Sequence, residues 1–171
     1  LRIQKTIGHL RGFAEELTQN GHRVEVKILS AGAKPALPEV RRQLTLGDER
    51  LAYEVRRLVT VEDVPVFVDV SFIPLTIGRL LPRGELSRRP IYNILESLGF
   101  IITEGEESVQ AALACERESK LLGIDVRSPV LRVKRITLTS NLAPIEYAEV
   151  TYRADRYEYR VHLRRHPILN P

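Results

Sequence analysis

The sequence contains no methionine, no tryptophan and a single cysteine, Cys115. One cysteine excludes an internal disulfide, so the framework of a small secreted protein is not expected. No apolar run approaches the ~18 residues of a membrane-spanning helix, and no signal-peptide pattern is present. We therefore expect a cytoplasmic protein with no membrane partner. Because the chain begins at Leu1 and lacks methionine, we also expect it to be a fragment with a segment missing upstream.

The motifs of nucleotide, metal and hydrolytic sites are also missing. The sequence has no P-loop, no GxGxxG, no paired CxxC and no GxSxG. Its histidines are dispersed without the spacing of metal ligands: His9, His22, His162 and His166. The net charge is +4, but the basic residues are scattered instead of forming a stripe. We therefore expect no metal, no cofactor, no catalytic residues and no direct contact of this segment with nucleic acid.

The predicted elements indicate an α+β fold. A length of 171 residues with 43% hydrophobic content suits a single domain, residues 1–171, with a substantial core. Alternating apolar residues predict strands that cluster in hairpins, and helical patterns occur at 12–20, 38–43, 90–98 and 116–122. Clustered hairpins favour a central antiparallel sheet of about six strands with helices packed against it. A last strand, 157–163, is expected to close the sheet.

The central hairpin, residues 51–74, carries two charges in otherwise apolar rows. Its arms are joined at Glu62 and Asp63, and the two unusual residues are Arg57 and Asp69. An unpaired buried charge costs several kcal/mol, roughly, so each should have a partner or a ligand. A two-residue loop would place Arg57 and Asp69 on opposite faces, whereas a three-residue or bulged turn would place them on one face. The pattern leaves both arrangements open.

Further polar residues could join these charges in one site. Glu146 and Tyr152 are six residues apart on a predicted strand, and an even separation puts them on the same face. Ser71 lies in the central hairpin, and Tyr92 is near the start of a predicted helix. Together with the hairpin charges they would combine an anion-binding arginine, carboxylates and phenols. The alternative is a structural pair between Arg57 and a carboxylate inside the sheet.

Five segments, in order, resemble one known family. They are GFAEELTQNGHRVEVKIL, LTLGDERLAYEVRRLVTVEDVPVFVDVSFIP, RPIYNILESLGF, ACERESKLLGIDVRSPVLRVKRITL and APIEYAEVTYRADRYEYRVHL. Across nearly the whole chain they resemble the UTRA domain, the effector-sensing half of the HutC subfamily of GntR bacterial transcription regulators. The resemblance implies a chorismate-lyase-like fold, homodimerisation, a small-molecule effector and an upstream winged helix-turn-helix domain that contacts DNA. The alternatives are a chorismate-lyase-like enzyme on the same fold and a ligand-free dimerisation module.

The resemblance also implies which residues line the effector pocket: Arg57, Asp69, Tyr92, Glu146 and Tyr152, with Phe13 and Ala14 offering backbone N–H groups at a helix start. It favours the bulged turn, because the arginine and the aspartate would then share a face. Two positions depart from the family pattern, since Val59 replaces a second arginine and Pro90 replaces a serine. In the family pattern the replaced arginine and the replaced serine would each help to hold a phosphate. We therefore expect a carboxylate, an amino-acid-like compound or a sugar as effector, and a phosphate less than these.

Overall fold

The computed structural model describes residues 3–6, 10–19 and 21–160. Its strands are β1 Ile3–Thr6, β2 Val24–Pro35, β3 Leu51–Val61, β4 Val64–Pro74, β5 Ile102–Leu113, β6 Pro129–Thr139, β7 Pro144–Arg153 and β8 Tyr157–Arg160. Its helices are α1 Phe13–Gln19, α2 Pro38–Gln43, α3 Leu75–Gly78, α4 Ile91–Ser97 and α5 Glu116–Leu122, with a 3-10 turn at Arg83–Glu85. Six strands form one antiparallel sheet in the order β2-β3-β4-β7-β6-β5. The predicted α+β class and six-stranded sheet are confirmed.

Helices cover both faces of this sheet. We call the face that carries Arg57 the near face, and the opposite one the far face. On the near face α1 packs through Phe13 and α4 through Leu95. On the far face α2 packs through Val40, and α5 lies across a groove from it. Strand β4 is buried on both faces for most of its length, which explains why its sequence is almost continuously apolar.

The central hairpin contains the bulge that places its two charges on one face. Glu62 and Asp63 form a two-residue turn in which both have positive φ, as the tight hairpin turns require. The register then shifts between Val59 and Thr60, so that Arg57 lies directly opposite Asp69. The bulge adds one residue to β4 and reverses the parity of every later pair. The prediction that Arg57 and Asp69 share a face is confirmed.

The prediction that the last strand closes the main sheet is wrong. Strand β8 pairs in parallel with β1, and the two form a separate two-stranded sheet. The reason is topological, because β7 is a central strand whose two edges are already occupied by β4 and β6. No edge of β7 is left for the strand that follows it. Residues 161–163 of the predicted strand lie outside the described residues.

None of the helices in the part of the chain that the structure describes has the length and hydrophobicity needed to span a bilayer.

Candidate functional site

A row of buried polar side chains crosses the near face of the sheet. It is formed by Arg57 on β3, Asp69 and Ser71 on β4, Glu146 on β7, and Arg135 and Thr137 on β6. The register brings them together, since Arg57 lies opposite Asp69 and Thr137 opposite Glu146. Apolar clusters that include α1 and α4 flank this polar row on its two sides. Buried polar groups need hydrogen-bond partners, so the row is either a structural network or a binding site.

Arg57 and Asp69 form a two-point ion pair within the polar row. The Nε–Oδ1 distance is 2.9 Å and the Nη2–Oδ2 distance is 2.5 Å. Their side chains are only 8% and 2% exposed. Arg57 Nη2 also lies 3.4 Å from the Ser71 hydroxyl. The geometry holds both groups rigidly, because a guanidinium fork that meets both oxygens of a carboxylate fixes its orientation.

Glu146 is the carboxyl at the centre of the polar row. It is 2% exposed, and Ser71 Oγ donates a hydrogen bond of 2.6 Å to its Oε1. The hydroxyl of Thr137 lies 3.5 Å from its other oxygen, which is a weak contact. Burial raises the pKa of the Glu146 carboxyl, while the Ser71 hydrogen bond and the charge of Arg57 act in the opposite direction. The overall effect is a raised pKa of Glu146, so this carboxyl holds its proton more strongly than an exposed glutamate does.

Arg135 is a site residue that the sequence analysis missed. Its guanidinium forms an ion pair with Glu107 at 2.5 Å and donates a hydrogen bond of 2.6 Å to the carbonyl of Arg11. It also lies 3.3 Å from the Tyr92 hydroxyl and 3.9 Å above the centre of the Phe13 ring. Arg135 therefore connects β5, α4 and the start of α1. It joins the elements that cover the polar row.

The signal that could have revealed Arg135 is the one that revealed Arg57. Alternation along β6 places Arg135 in the same row as Val133, a fully buried residue. A charge in such a row needs a partner. Arg135 also supplies a second guanidinium to the site, although Val59 stands where the family pattern has its second arginine. Val59 itself is fully buried in the apolar cluster beside the polar row.

A small cavity opens onto the polar row beneath the start of α1. Its lining is Gly12, Phe13, Ala14, Glu15, Arg57, Pro90, Ile91, Tyr92 and Glu146. The free space is about 10 Å³, which is roughly the room that one water needs. The backbone N–H of Gly12 donates to the Glu15 carboxylate at 3.1 Å, so that donor already has an acceptor within the chain. A larger ligand requires α1 or α4 to move away from the sheet.

The structure brings together all of the predicted site residues except Tyr152. Tyr152 is on the predicted face and is 2% exposed. Its ring stacks on Tyr157 at 3.8 Å between centroids and contacts Phe67 at 4.7 Å. At about 3.3 Å per residue, six residues along β7 separate Tyr152 from Glu146 by roughly 20 Å. Tyr152 therefore belongs to the neighbouring aromatic cluster and does not line the cavity.

A larger groove on the far face is a weaker candidate site. It holds about 490 Å³ between α2 and α5. Its charges pair with one another at the surface, as Lys134 does with Glu39 and Arg132 with Glu118. These side chains are 18–44% exposed, so solvent already satisfies them in part. Volume alone favours the groove, but the buried and converging polar groups lie on the near face, and we place the site there.

Among the described residues, no group of three or more histidine, cysteine, aspartate or glutamate side chains is arranged to hold a metal ion.

Comparison with known proteins identifies the family. The family model of the UTRA domain matches residues 19–158, which is most of the chain. The chain belongs to the UTRA domain family. The polar row and its cavity are therefore the near-face site of a UTRA domain. Both lie within the matched range, except for the cavity residues before α1 and the first residues of α1 itself.

The relatives of this UTRA domain are bacterial transcription regulators. It is 24% identical to the HTH-type transcriptional repressor NagR of Bacillus subtilis over 92% of the chain and 65% of that protein. It is 25% identical to the histidine utilization repressor of Pseudomonas aeruginosa over 82% of the chain and 56% of that protein. The chain thus spans between about half and two thirds of the length of these curated relatives.

A solved structure supports both the family and the fold. The ligand-binding domain of a putative GntR-family transcriptional regulator from Bordetella bronchiseptica is 30% identical to the chain. The two superpose with a TM-score of 0.77 over 83% of this chain and 91% of that one.

Proposed function

We propose that this UTRA domain binds a small-molecule effector between the near face of its sheet and helices α1 and α4. The observation that carries the proposal is the buried polar row that meets a cavity under two short helices. Arg57, Asp69, Ser71, Tyr92 and Glu146 are the side chains that would contact or orient the effector. The backbone and side chains of Phe13 and Ala14 would close over it.

The proposed role of binding is to control a DNA-binding domain elsewhere in the protein. Relatives of this chain are transcriptional repressors, which supports this role. An effector changes DNA binding only if it binds one arrangement of the protein more tightly than another. We propose that the protein acts as a homodimer in the cytoplasm, and that it binds its effector without chemical turnover. Movement of α1 or α4 would link the two events, because one of these helices has to shift to admit a ligand larger than a water.

The proposed effector is a carboxylate, an amino-acid-like compound or a sugar, with a phosphate less favoured. Val59 is fully buried among apolar residues and offers no charge to a phosphate. Pro90 precedes α4 and provides no side-chain hydrogen bond at the start of that helix. Each missing charge-assisted hydrogen bond removes about 1.5–3 kcal/mol of affinity for a dianion.

A thermal-shift screen of the chain against metabolites tests the proposal. The panel contains sugars, sugar phosphates, carboxylates and amino-acid derivatives. A ligand at 100 times its dissociation constant adds about 2.7 kcal/mol to the free energy of unfolding. For a chain of this size that corresponds to roughly 5–11 °C in the melting temperature. The expected result is a shift by one chemical class other than sugar phosphates.

Matched tyrosine variants then locate the binding site. Tyr92→Phe removes a hydroxyl that contacts Thr137 at 2.8 Å beside the cavity. Tyr147→Phe removes a hydroxyl that donates to Glu39 at 3.0 Å on the far face. Loss of one hydrogen bond costs about 0.5–1.5 kcal/mol, so Tyr92→Phe should weaken binding roughly 2–13-fold, whereas Tyr147→Phe should leave it unchanged. Weaker binding by Tyr147→Phe alone would move the site to the far face and refute the proposal.

A further inference from the structure

Both arginines of the polar row are already neutralised within the chain. Arg57 is paired with Asp69 through two hydrogen bonds, and Arg135 is paired with Glu107. All four of these side chains are 12% exposed or less. An anionic ligand would therefore meet two ion pairs and no unneutralised cation. To bind an arginine it would have to displace a buried carboxylate, which would then be left without its partner.

Glu146 is the carboxyl of the polar row that these two ion pairs leave without a cationic partner. Its contacts are the hydroxyls of Ser71 and Thr137, and it forms no ion pair with any of the described residues. The charged groups that act on it electrostatically are Arg57, Arg135 and Asp69. Two cations and two anions therefore cancel around a third carboxyl that is almost completely buried. A carboxylate in that position needs either a proton or a cationic partner.

The cavity gives a ligand a route to Glu146, although α1 or α4 must first move to make room for more than one water. Glu146 lines the cavity together with Tyr92 of α4 and Glu15 of α1. An aromatic ring beside a carboxylate is a favourable environment for an ammonium group, because the face of the ring and the carboxylate both attract positive charge. The Tyr92 hydroxyl stays neutral, since burial and then the charge of Glu146 raise its pKa. No cation from the described part of the chain lines the cavity at this point except the paired Arg57.

We propose that the effector carries a protonated amine that pairs with Glu146 in this cavity. The inference rests on the proposed function of the near-face site and narrows its ligand to amine-bearing metabolites such as amino sugars or amino acids. In the free protein the Glu146 carboxyl is either protonated or carries a charge without a cationic partner. The groups that face it are Arg57, Asp69, Ser71, Arg135, Thr137, Tyr92 and Glu15. The amine supplies the missing positive charge when it binds.

Titration calorimetry with matched ligand pairs tests this. The pairs differ by one amino group: glucosamine with glucose, and amino acids with the corresponding 2-hydroxy acids, extended to diamines with diols. A charge-assisted hydrogen bond is expected to favour the amine about 10–100-fold in at least one pair. Glu146→Gln keeps the shape and the acceptor but removes the charge, and should reduce that preference to about threefold or less. Tyr147→Phe, on the far face, should keep the full preference.

A measurement without ligand checks the charge balance itself. Glu146→Gln should make the chain more stable than the wild type at pH 8, because it removes an uncompensated charge and retains the Ser71 hydrogen bond. Asp69→Asn, which removes a compensated charge from the same row, should make it less stable. If Glu146→Gln is the less stable protein at pH 8, the carboxylate is already compensated and the inference is wrong.

The outcomes separate this inference from the proposed function. Equal or tighter binding by the amine-free members, or an amine preference that survives Glu146→Gln, would overturn the inference while the near-face site remains. Binding of sugars or carboxylates, with no binding of any amine, would also overturn the inference and leave the near-face site in place. If no compound of either kind binds the wild-type chain, the effector-binding proposal fails and the amine inference fails with it.

Discussion

Breaking the buried Arg57–Asp69 pair should be among the most damaging changes in the sheet. Asp69→Asn keeps the size of the side chain but leaves Arg57, whose side chain is 8% exposed, without its counter-charge. Removing one partner of a buried ion pair costs about 3–5 kcal/mol, because the remaining charge is left without compensation. For a chain of 171 residues this corresponds to roughly 6–20 °C in the melting temperature.

The assay is a double-mutant cycle measured by urea unfolding. Its variants are Asp69→Asn, Arg57→Met and the combination of the two. We expect the double variant to cost less than the sum of the single ones, with a coupling of at least about 1.5 kcal/mol. The coupling should persist in 1 M salt, where the screening length falls to about 3 Å, because solvent ions do not reach the buried pair.

The surface pair Arg89–Glu85 is the matched control. Its atoms are also 2.5 Å apart, but its side chains are 42% and 43% exposed. An exposed pair of this kind contributes about 0.2–1 kcal/mol, and salt should remove most of that. If Asp69→Asn costs less than about 1 kcal/mol and its coupling vanishes in salt like that of the control, the pair is solvated and the polar row is not the closed network described above.

A pH series on Glu146→Gln and a pair of glycine variants test other parts of the structure. Because burial raises the pKa of Glu146, the folded chain retains this proton at pH values where the unfolded chain has lost it, so stability should fall as pH rises from about 4.3 to the folded pKa. The difference in unfolding free energy between Glu146→Gln and the wild type should therefore grow over that range, and a constant difference would contradict the shift. Gly78→Ala should cost at least about 1–3 kcal/mol, because its Cβ would lie 2.0 Å from the Cβ of Tyr53. Gly84→Ala meets nothing within 4 Å, and thermal unfolding should show it within about 1 kcal/mol of the wild type.

The class of fold and part of the site could be predicted from the sequence, because their signals are local. A period of two residues assigns each strand residue to a face, whatever the strand pairs with. That was enough to predict the hairpins, the α+β class and the unusual position of Arg57 and Asp69. The same rule put Glu146 and Tyr152 on one face of their strand.

Only the tertiary structure decided which residues of neighbouring strands lie next to one another on a face of the sheet. The bulge beside Val59 reverses the parity of the central hairpin, and it depends on hydrogen bonds between two strands, not on either strand alone. Arg135 enters the site because β6 lies next to β7, and its partner Glu107 is 28 residues away. Tyr152 lies on the same face of the sheet as Glu146, but it is six residues farther along β7 and does not reach the cavity. The sequence determined which side of each strand is buried; the order and register of the strands determined which buried residues could touch.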